Sequence, residues 1–116
     1  MATKRIVVGA HYGKRDWLAQ RFTACVMAVY TLVLLGWMLA LPELSYGTWA
    51  GVFASRWMKV LSLLALVSVT WHAWVGVRDI YMDYIKPIVL RVALQVITIV
   101  LLLGYLGWAV TILWSV

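Results

Sequence analysis

Three long apolar runs, separated by short polar stretches, constrain this chain more than any other feature of its sequence. They cover residues 22–41, 60–77 and 92–114, and each is close to the roughly 20 helical residues that cross a hydrocarbon core about 30 Å thick. Backbone polar groups inside hydrocarbon must be hydrogen-bonded within the segment, which favours helices. Since 66% of the residues are apolar and only 12% are charged, a water-soluble globule would lack polar surface. We therefore predict an all-α integral membrane protein with three transmembrane helices.

Turn-forming residues and the ends of the apolar runs predict how the chain is divided. Pro42 and Gly47 indicate a turn after the first run, and Pro87 suits the start of the last helix. The first run is too long and begins too late for a cleavable signal peptide, so the first helix is expected to stay in the membrane. We predict one transmembrane anchor domain over residues 1–116, with a tail over 1–15 and helices at about 16–41, 50–80 and 87–115.

The lysines and arginines predict the orientation of the chain. They cluster before the first run and around the second connection, whereas the first connection has few and the C-terminal end has none. The basic residues concerned are Lys4, Arg5, Lys14, Arg15, Arg21, Arg56, Lys59, Arg78, Lys86 and Arg91. Because cytoplasmic loops are enriched in Lys and Arg, the N-terminus is expected in the cytoplasm and the C-terminus outside. The net charge of +6 is then a topology signal and an attraction to anionic lipid, and no nucleic-acid partner is needed to explain it.

Two classes of function are disfavoured by what the chain contains. Cys25 is the single cysteine, so an intrachain disulfide or a cysteine-based metal site is excluded and a packing role is expected. A small ion-coupled transporter needs a carboxylate inside the membrane. The four acidic residues all fall at or beyond the ends of the apolar runs: Asp16, Glu43, Asp79 and Asp83.

His72 is the polar residue that most needs explanation, because it lies inside the second apolar run. It precedes Arg78 by six residues, roughly 9 Å along a helix. The residues three, four and seven positions before or after it on the same helical face include Ala65, Ser68 and Gly76. Small residues at this spacing allow another helix to approach closely, with His72 making an interhelical hydrogen bond. They would also leave room for a porphyrin whose iron is ligated by His72, and the sequence leaves both interpretations open.

A six-coordinate heme would also require a second axial ligand and partners for its propionates. The other histidine, His11, precedes the first apolar run by about ten residues and is expected to be too shallow to face His72. A bis-histidine heme would therefore need a ligand from another chain. Arg21 lies at a suitable depth to reach the propionates, but an arginine at a helix end also commonly extends its charged group to the interface.

Asp83 and Tyr84 follow His72 by eleven and twelve residues, at the inner edge of the membrane. A phenol can donate a hydrogen bond to a quinone carbonyl, and a neighbouring carboxylate can pass protons from the cytoplasm. These are the requirements of quinone reduction. An interfacial tyrosine beside solvated charges would give the same pattern.

Several motifs together resemble a known family. Arg21, then "ELSYGTWAGVFAS", "HAWVG", "DYIKP" and "LRVALQ" resemble the hydrophobic membrane anchor subunit of bacterial succinate dehydrogenase, from Asp16 onward. The resemblance implies that His72 ligates the iron of a b-type heme shared with a second three-helix anchor of cytochrome b type. It also implies that Tyr84 hydrogen-bonds ubiquinone, that Asp83 supports its protonation, and that Arg21 lies near the propionates or the quinone.

The same resemblance implies the setting of the chain. The expected partners are the second anchor, an iron–sulfur subunit and a flavoprotein subunit, in the bacterial inner membrane. The chain would form half of a two-chain heme-binding helix bundle and take part in succinate:quinone oxidoreductase activity without being catalytic alone. Two alternatives stay open: an anchor of another quinone-linked complex such as fumarate reductase, and a heme-free structural membrane subunit.

Overall fold

The computed structural model describes the backbone of residues 8–116 and the side chains of residues 14–116. Its helices are α1 (Val8–Ala40), α2 (Tyr46–Ala54), α3 (Arg56–Tyr84) and α4 (Ile88–Trp114). Three segments are long and apolar enough to cross a membrane: Lys14–Ala40 within α1, and the whole of α3 and α4. The prediction of an all-α chain with three membrane-length helices is therefore confirmed for the described residues.

The first helix begins earlier than the sequence predicted. Part of the predicted tail, residues 1–7, lies outside the described residues, but α1 already begins at Val8 instead of near residue 16. Extending an existing helix adds one hydrogen bond for each residue fixed, whereas starting a new helix is costly. A long transmembrane helix therefore extends readily into a preceding stretch that contains no proline.

The predicted helix at about 50–80 is divided into α2 and α3. Helix α2 begins with a capping box in which the Ser45 side chain accepts from the Thr48 amide and the Thr48 hydroxyl accepts from the Ser45 amide. Ser55 ends α2 with extended backbone angles (φ −65°, ψ 133°). Arg56 and Lys59 follow directly, at the edge of the apolar run, where water can reach backbone groups that the break leaves unpaired.

The connection between α3 and α4 is shorter than the predicted 81–86. Helix α3 continues to Tyr84, and the Ile85 amide still donates to the Tyr81 carbonyl at 3.0 Å. Lys86 precedes a proline, which disfavours helical angles at that position. Pro87 itself is the N-cap of α4, one position before the first turn where the sequence placed it. Asp83 and Tyr84 consequently belong to the last turn of α3.

Helix α3 is the centre of the fold and packs against α1, α2 and α4. Its buried residues are three or four positions apart, except that the last follows after seven, so they form one stripe along the helix. They are Met58, Ser62, Ala65, Ser68 and Val75. His72 lies on the same stripe and is half-buried. This stripe packs against α1, where His72 contacts Thr23. Tyr81, nine residues further along and so on the opposite side of α3, contacts α4 instead.

Polar contacts at two positions along the helices fix how α1 lies against α3. Near the start of the α1 span the Asp16 carboxylate pairs with the Arg78 guanidinium, and 14 residues further along α1 the Tyr30 hydroxyl lies 2.6 Å from Ser62 Oγ. Residue numbers rise along α1 as they fall along α3, so the two helices are antiparallel. Hydrogen bonds between transmembrane helices average about 0.6 kcal/mol, so their main effect here is on register.

Ser62 provides a test of this packing. It is 4% exposed and contacts Tyr30, so Ser62→Leu removes the hydrogen bond and places a larger side chain where the Tyr30 hydroxyl now lies. Overpacking of this kind costs about 1–3 kcal/mol, and we expect a lower thermal unfolding midpoint for the purified, detergent-solubilised protein in its native assembly. Val67→Leu, at a position 49% exposed on the same helix, is the matched control. Equal midpoints for the two variants would contradict the packing described.

The remaining surface is strongly apolar. Only 6% of the spanning window in α1 and 6% of that in α4 is buried within the chain, and large side chains such as Phe22, Leu32 and Leu103 are 60% or more exposed. In water such a surface would drive aggregation. In hydrocarbon it carries no penalty, and it is available to lipid tails or to other membrane helices.

Candidate functional site

The surroundings of His72 are built from α1 and α3. The ion pair between Asp16 and Arg78 aligns the start of the α1 span with the last turns of α3, and from there Thr23 and His72 are seven and six residues towards the middle of the span. Their side chains meet, with 3.0 Å between Thr23 Oγ1 and His72 Nδ1. Thr23 is 5% exposed. The polar contact therefore lies within the membrane span and is shielded from solvent.

Thr23 is also bonded to its own helix. Its hydroxyl lies 2.7 Å from the carbonyl oxygen of Ala19 and 3.3 Å from that of Gln20. No described residue hydrogen-bonds the second ring nitrogen of His72, Nε2. The ring is thus held on one side and retains a nitrogen that another group can use.

The small-residue face around His72 is covered by α1 at several points. A Cβ atom placed on Gly76 would lie 3.8 Å from Gln20 Nε2, and Ala65 and Ser68 are buried. These contacts match the close helix approach that small residues permit. Gln20 Oε1 is buried and has no hydrogen-bond partner among the described residues.

Arg21 lies near the start of the Lys14–Ala40 span and faces away from the contact between Thr23 and His72. It is exposed, and its guanidinium carbon lies 5.1 Å from the centre of the Trp17 ring, a cation–π contact. Two residues along a helix correspond to a rotation of about 200°, so Arg21 and Thr23 lie on nearly opposite faces of α1. The structure brings Thr23 against His72 and leaves Arg21 facing outward.

Asp83 and Tyr84 form a second location, separate from His72. Twelve residues of helix separate Tyr84 from His72, roughly 18 Å along the axis. Asp83 is exposed, Tyr84 is 76% exposed, and neither side chain hydrogen-bonds another described residue. A closed pocket at this end of α3 therefore requires walls from outside the described part of the chain.

The neighbouring phenol, Tyr81, has a structural contact that Tyr84 lacks. The Thr98 hydroxyl donates to the Leu94 carbonyl oxygen at 2.8 Å, and Tyr81 lies 2.9 Å from the same hydroxyl oxygen. Since the single hydroxyl hydrogen of Thr98 is used on Leu94, Tyr81 must be the donor. Of the two phenols in the last turns of α3, Tyr84 is the one available to a ligand.

Arg78, in the last turns of α3, has specific partners. Arg78 pairs with Asp16 of α1, lies 3.9 Å from Asp79 and stacks 6.0 Å from the Trp74 ring centre. These contacts neutralise a cation beside the membrane interface. The role of Asp16 in aligning α1 was not predicted from the sequence.

Sequence reasoning also missed Thr23 and Gln20. Both are polar residues at the start of the first apolar span, and they lie three positions apart, on one helical face. That spacing could have indicated a polar face on α1. The partner across the interface could not be identified in the same way, because Thr23 and His72 are separated by 49 residues.

No three His, Cys, Asp or Glu side chains come together to hold a metal ion in the part of the chain that the structure describes. The side chain of His11 lies outside that part.

Comparison with known proteins agrees with the architecture. The chain matches the family described as succinate dehydrogenase/fumarate reductase transmembrane subunit over residues 1–109. The succinate dehydrogenase hydrophobic membrane anchor subunit of Coxiella burnetii (strain RSA 493 / Nine Mile phase I) is 37% identical to it over 102 residues, which are 88% of this chain and 89% of that protein. Because the family match covers nearly all of a chain with three membrane-length helices, this protein belongs to the succinate dehydrogenase/fumarate reductase transmembrane subunits and is a multi-pass membrane anchor.

Proposed function

We propose that this chain is one of two anchors of a bacterial succinate:quinone oxidoreductase, that it shares a b-type heme with the second anchor, and that it forms part of the ubiquinone reduction site. The observation that carries the proposal is His72. It is half-buried within a membrane span, held through Nδ1 by Thr23, and its Nε2 is not hydrogen-bonded by any described residue.

The residues around His72 fit a heme ligand. Iron in a porphyrin takes a neutral imidazole nitrogen as an axial ligand, and a ligating histidine usually donates its other ring N–H to a hydrogen-bond acceptor. The contact with Thr23 would provide the acceptor, and Nε2, which no described residue hydrogen-bonds, would be the ligating nitrogen. Bound heme would supply one-electron redox chemistry near the quinone site. This chain's part would be to fix the ring, while the second axial ligand would come from the partner anchor.

The role proposed for Arg21 is electrostatic. Its guanidinium is exposed near the inner end of α1, and it faces away from the contact between α1 and α3. It would therefore reach a propionate or a quinone oxygen on the side of α1 that faces another subunit. Its stacking on Trp17 would restrict where the charge is presented.

At the inner end of α3, Tyr84 would donate a hydrogen bond to one carbonyl oxygen of ubiquinone. The reduction adds two electrons, supplied through the iron–sulfur subunit, and two protons that form the hydroxyls of the quinol. Asp83 lies next to Tyr84 at the water-exposed end of the helix, where it would pass protons from the cytoplasm. The exposure of both side chains supports a pocket completed by the second anchor and the iron–sulfur subunit.

The proposed setting is the bacterial inner membrane, with the N-terminus in the cytoplasm and the C-terminus outside. The basic residues near the start of α1 and around the α3–α4 connection support this orientation. It would place Asp83 and Tyr84 on the cytoplasmic side, where the flavoprotein and iron–sulfur subunits would dock. The exposed apolar surfaces of α1 and α4 would contact lipid and the second anchor.

The proposal is tested by purifying the assembly from native membranes in mild detergent through a tag on this chain. We expect a second three-helix anchor, an iron–sulfur subunit and a flavoprotein to copurify, with succinate-dependent reduction of ubiquinone. The proposal would be contradicted if the preparation contained no more flavoprotein and iron–sulfur protein than a control preparation made through a tagged, unrelated membrane protein. Fumarate reduction by quinol that is faster than succinate oxidation would favour an anchor of fumarate reductase. An active complex without heme would favour a heme-free structural subunit.

A further inference from the structure

We propose that Thr23 is a positioning residue for His72: it accepts the Nδ1 hydrogen of the imidazole, and so fixes both the tautomer and the rotation of the ring. The inference rests on the proposed role of His72 as a heme ligand and extends it to a second residue of this chain. It concerns the tautomer and orientation of the ligand, since Thr23 itself would not touch the iron.

The direction of the hydrogen bond follows from counting hydrogens. A threonine hydroxyl has one hydrogen and can accept at its oxygen. The shortest contact of Thr23 Oγ1 is with the carbonyl oxygen of Ala19, at 2.7 Å, and a carbonyl oxygen can only accept. The hydroxyl hydrogen is therefore used on α1, and the 3.0 Å contact with His72 Nδ1 requires that the ring be the donor.

This direction determines the chemistry of the other nitrogen. A neutral imidazole carries one N–H, so a hydrogen on Nδ1 leaves the lone pair on Nε2, the form that binds a metal. The chain of hydrogen bonds from His72 through Thr23 to Ala19 also polarises the ring, which increases its basicity. A more basic ligand stabilises ferric over ferrous iron and lowers the reduction potential.

The location of Thr23 makes this bond persistent. The threonine is 5% exposed, so water does not compete for the ring hydrogen. The Asp16–Arg78 ion pair lies about two turns away and holds α1 in register with α3.

The test compares three variants in the complete, purified complex. Thr23→Val keeps the shape of the side chain but removes the acceptor, whereas Thr23→Ser keeps a hydroxyl. Thr31→Val is the matched control, because the Thr31 hydroxyl also donates to a carbonyl four residues earlier, at 2.8 Å, but contacts no histidine. Heme content, the reduced-minus-oxidised spectrum and the heme midpoint potential are measured for each.

We expect Thr23→Val to raise the midpoint potential by an amount corresponding to a roughly tenfold change in the ferrous-to-ferric ratio, about 59 mV for a one-electron couple. Thr23→Ser and Thr31→Val should remain near the wild-type value. Loss of heme in Thr23→Val alone, with the other two variants loaded, would equally support positioning. An unchanged potential in a loaded Thr23→Val complex, or equal effects of Thr31→Val, would overturn the inference while leaving His72 as a ligand. Failure of the ligand assignment itself is detected separately, by an unchanged heme spectrum in His72→Ala.

Discussion

Replacing His72 with alanine is expected to remove most of the b-type heme from the purified complex. The substitution takes away the only nitrogen that this chain is proposed to offer the iron. Changes confined to groups behind a metal ligand already lower metal affinity roughly 10–100-fold, so removal of the ligand itself should cost at least as much. The measurement is a dithionite-reduced minus oxidised optical spectrum, normalised to the flavin content of the same preparation.

Two features make this result interpretable. Thr70→Val, two positions earlier on α3, removes only a hydrogen bond to the Leu66 carbonyl and should retain the full heme signal. Normalising to flavin separates loss of heme from loss of the whole assembly. A heme band of unchanged position and intensity in His72→Ala would refute the ligand assignment, leaving the contact with Thr23 as an ordinary bond between helices.

Replacing Tyr84 with phenylalanine is expected to lower succinate–ubiquinone reductase activity by about a hundredfold, the lower end of the usual contribution of a positioned proton donor. Electron transfer from succinate to a soluble phenazine dye, which bypasses the quinone site, should be unchanged. Asp83→Asn should give a smaller decrease, because water at this exposed position also delivers protons. Both activities are measured on the same purified complex.

Tyr81→Phe is the matched control for Tyr84→Phe. It removes the same hydroxyl group one turn earlier on α3, but that hydroxyl is bonded to Thr98 and faces α4. Its expected effect is a modest loss of stability with quinone reduction retained. Wild-type quinone reduction in Tyr84→Phe would contradict the proposed role. A parallel fall in the dye-linked activity would instead identify Tyr84 as a residue needed for assembly.

The local sequence was sufficient for features that depend on a single helix. The lengths of the apolar runs predicted three spans, and turn residues located the connections to within a few residues. The extent of α1 and the separate α2 were missed. The start of α1 at Val8 depends on how far a helix extends beyond its apolar run, and the separation of α2 from α3 depends on capping at Ser55. At both positions the local sequence is compatible with more than one backbone conformation.

Around His72, too, some features could be predicted from the local sequence and others could not. Its depth follows from six positions of helix before Arg78, and its burial on one stripe follows from the small residues three and four positions away. By contrast, the small-residue face around His72 was compatible with two interpretations, close packing of another helix or room for a porphyrin. The structure shows α1 covering that face near Gly76, and it leaves Tyr84 exposed at a separate location.

What the sequence by itself determined is therefore the number of membrane spans and the depth of each polar residue, because run length is set against a fixed hydrocarbon thickness and each residue adds a fixed rise. Only the tertiary structure decided that Thr23 meets His72, that Asp16 pairs with Arg78, and that Arg21 faces away from both. The rotation and register of α1 against α3 arise from side chains about 30 to 60 residues apart packing together. No local pattern specifies that match, since lipid accepts nearly any apolar face.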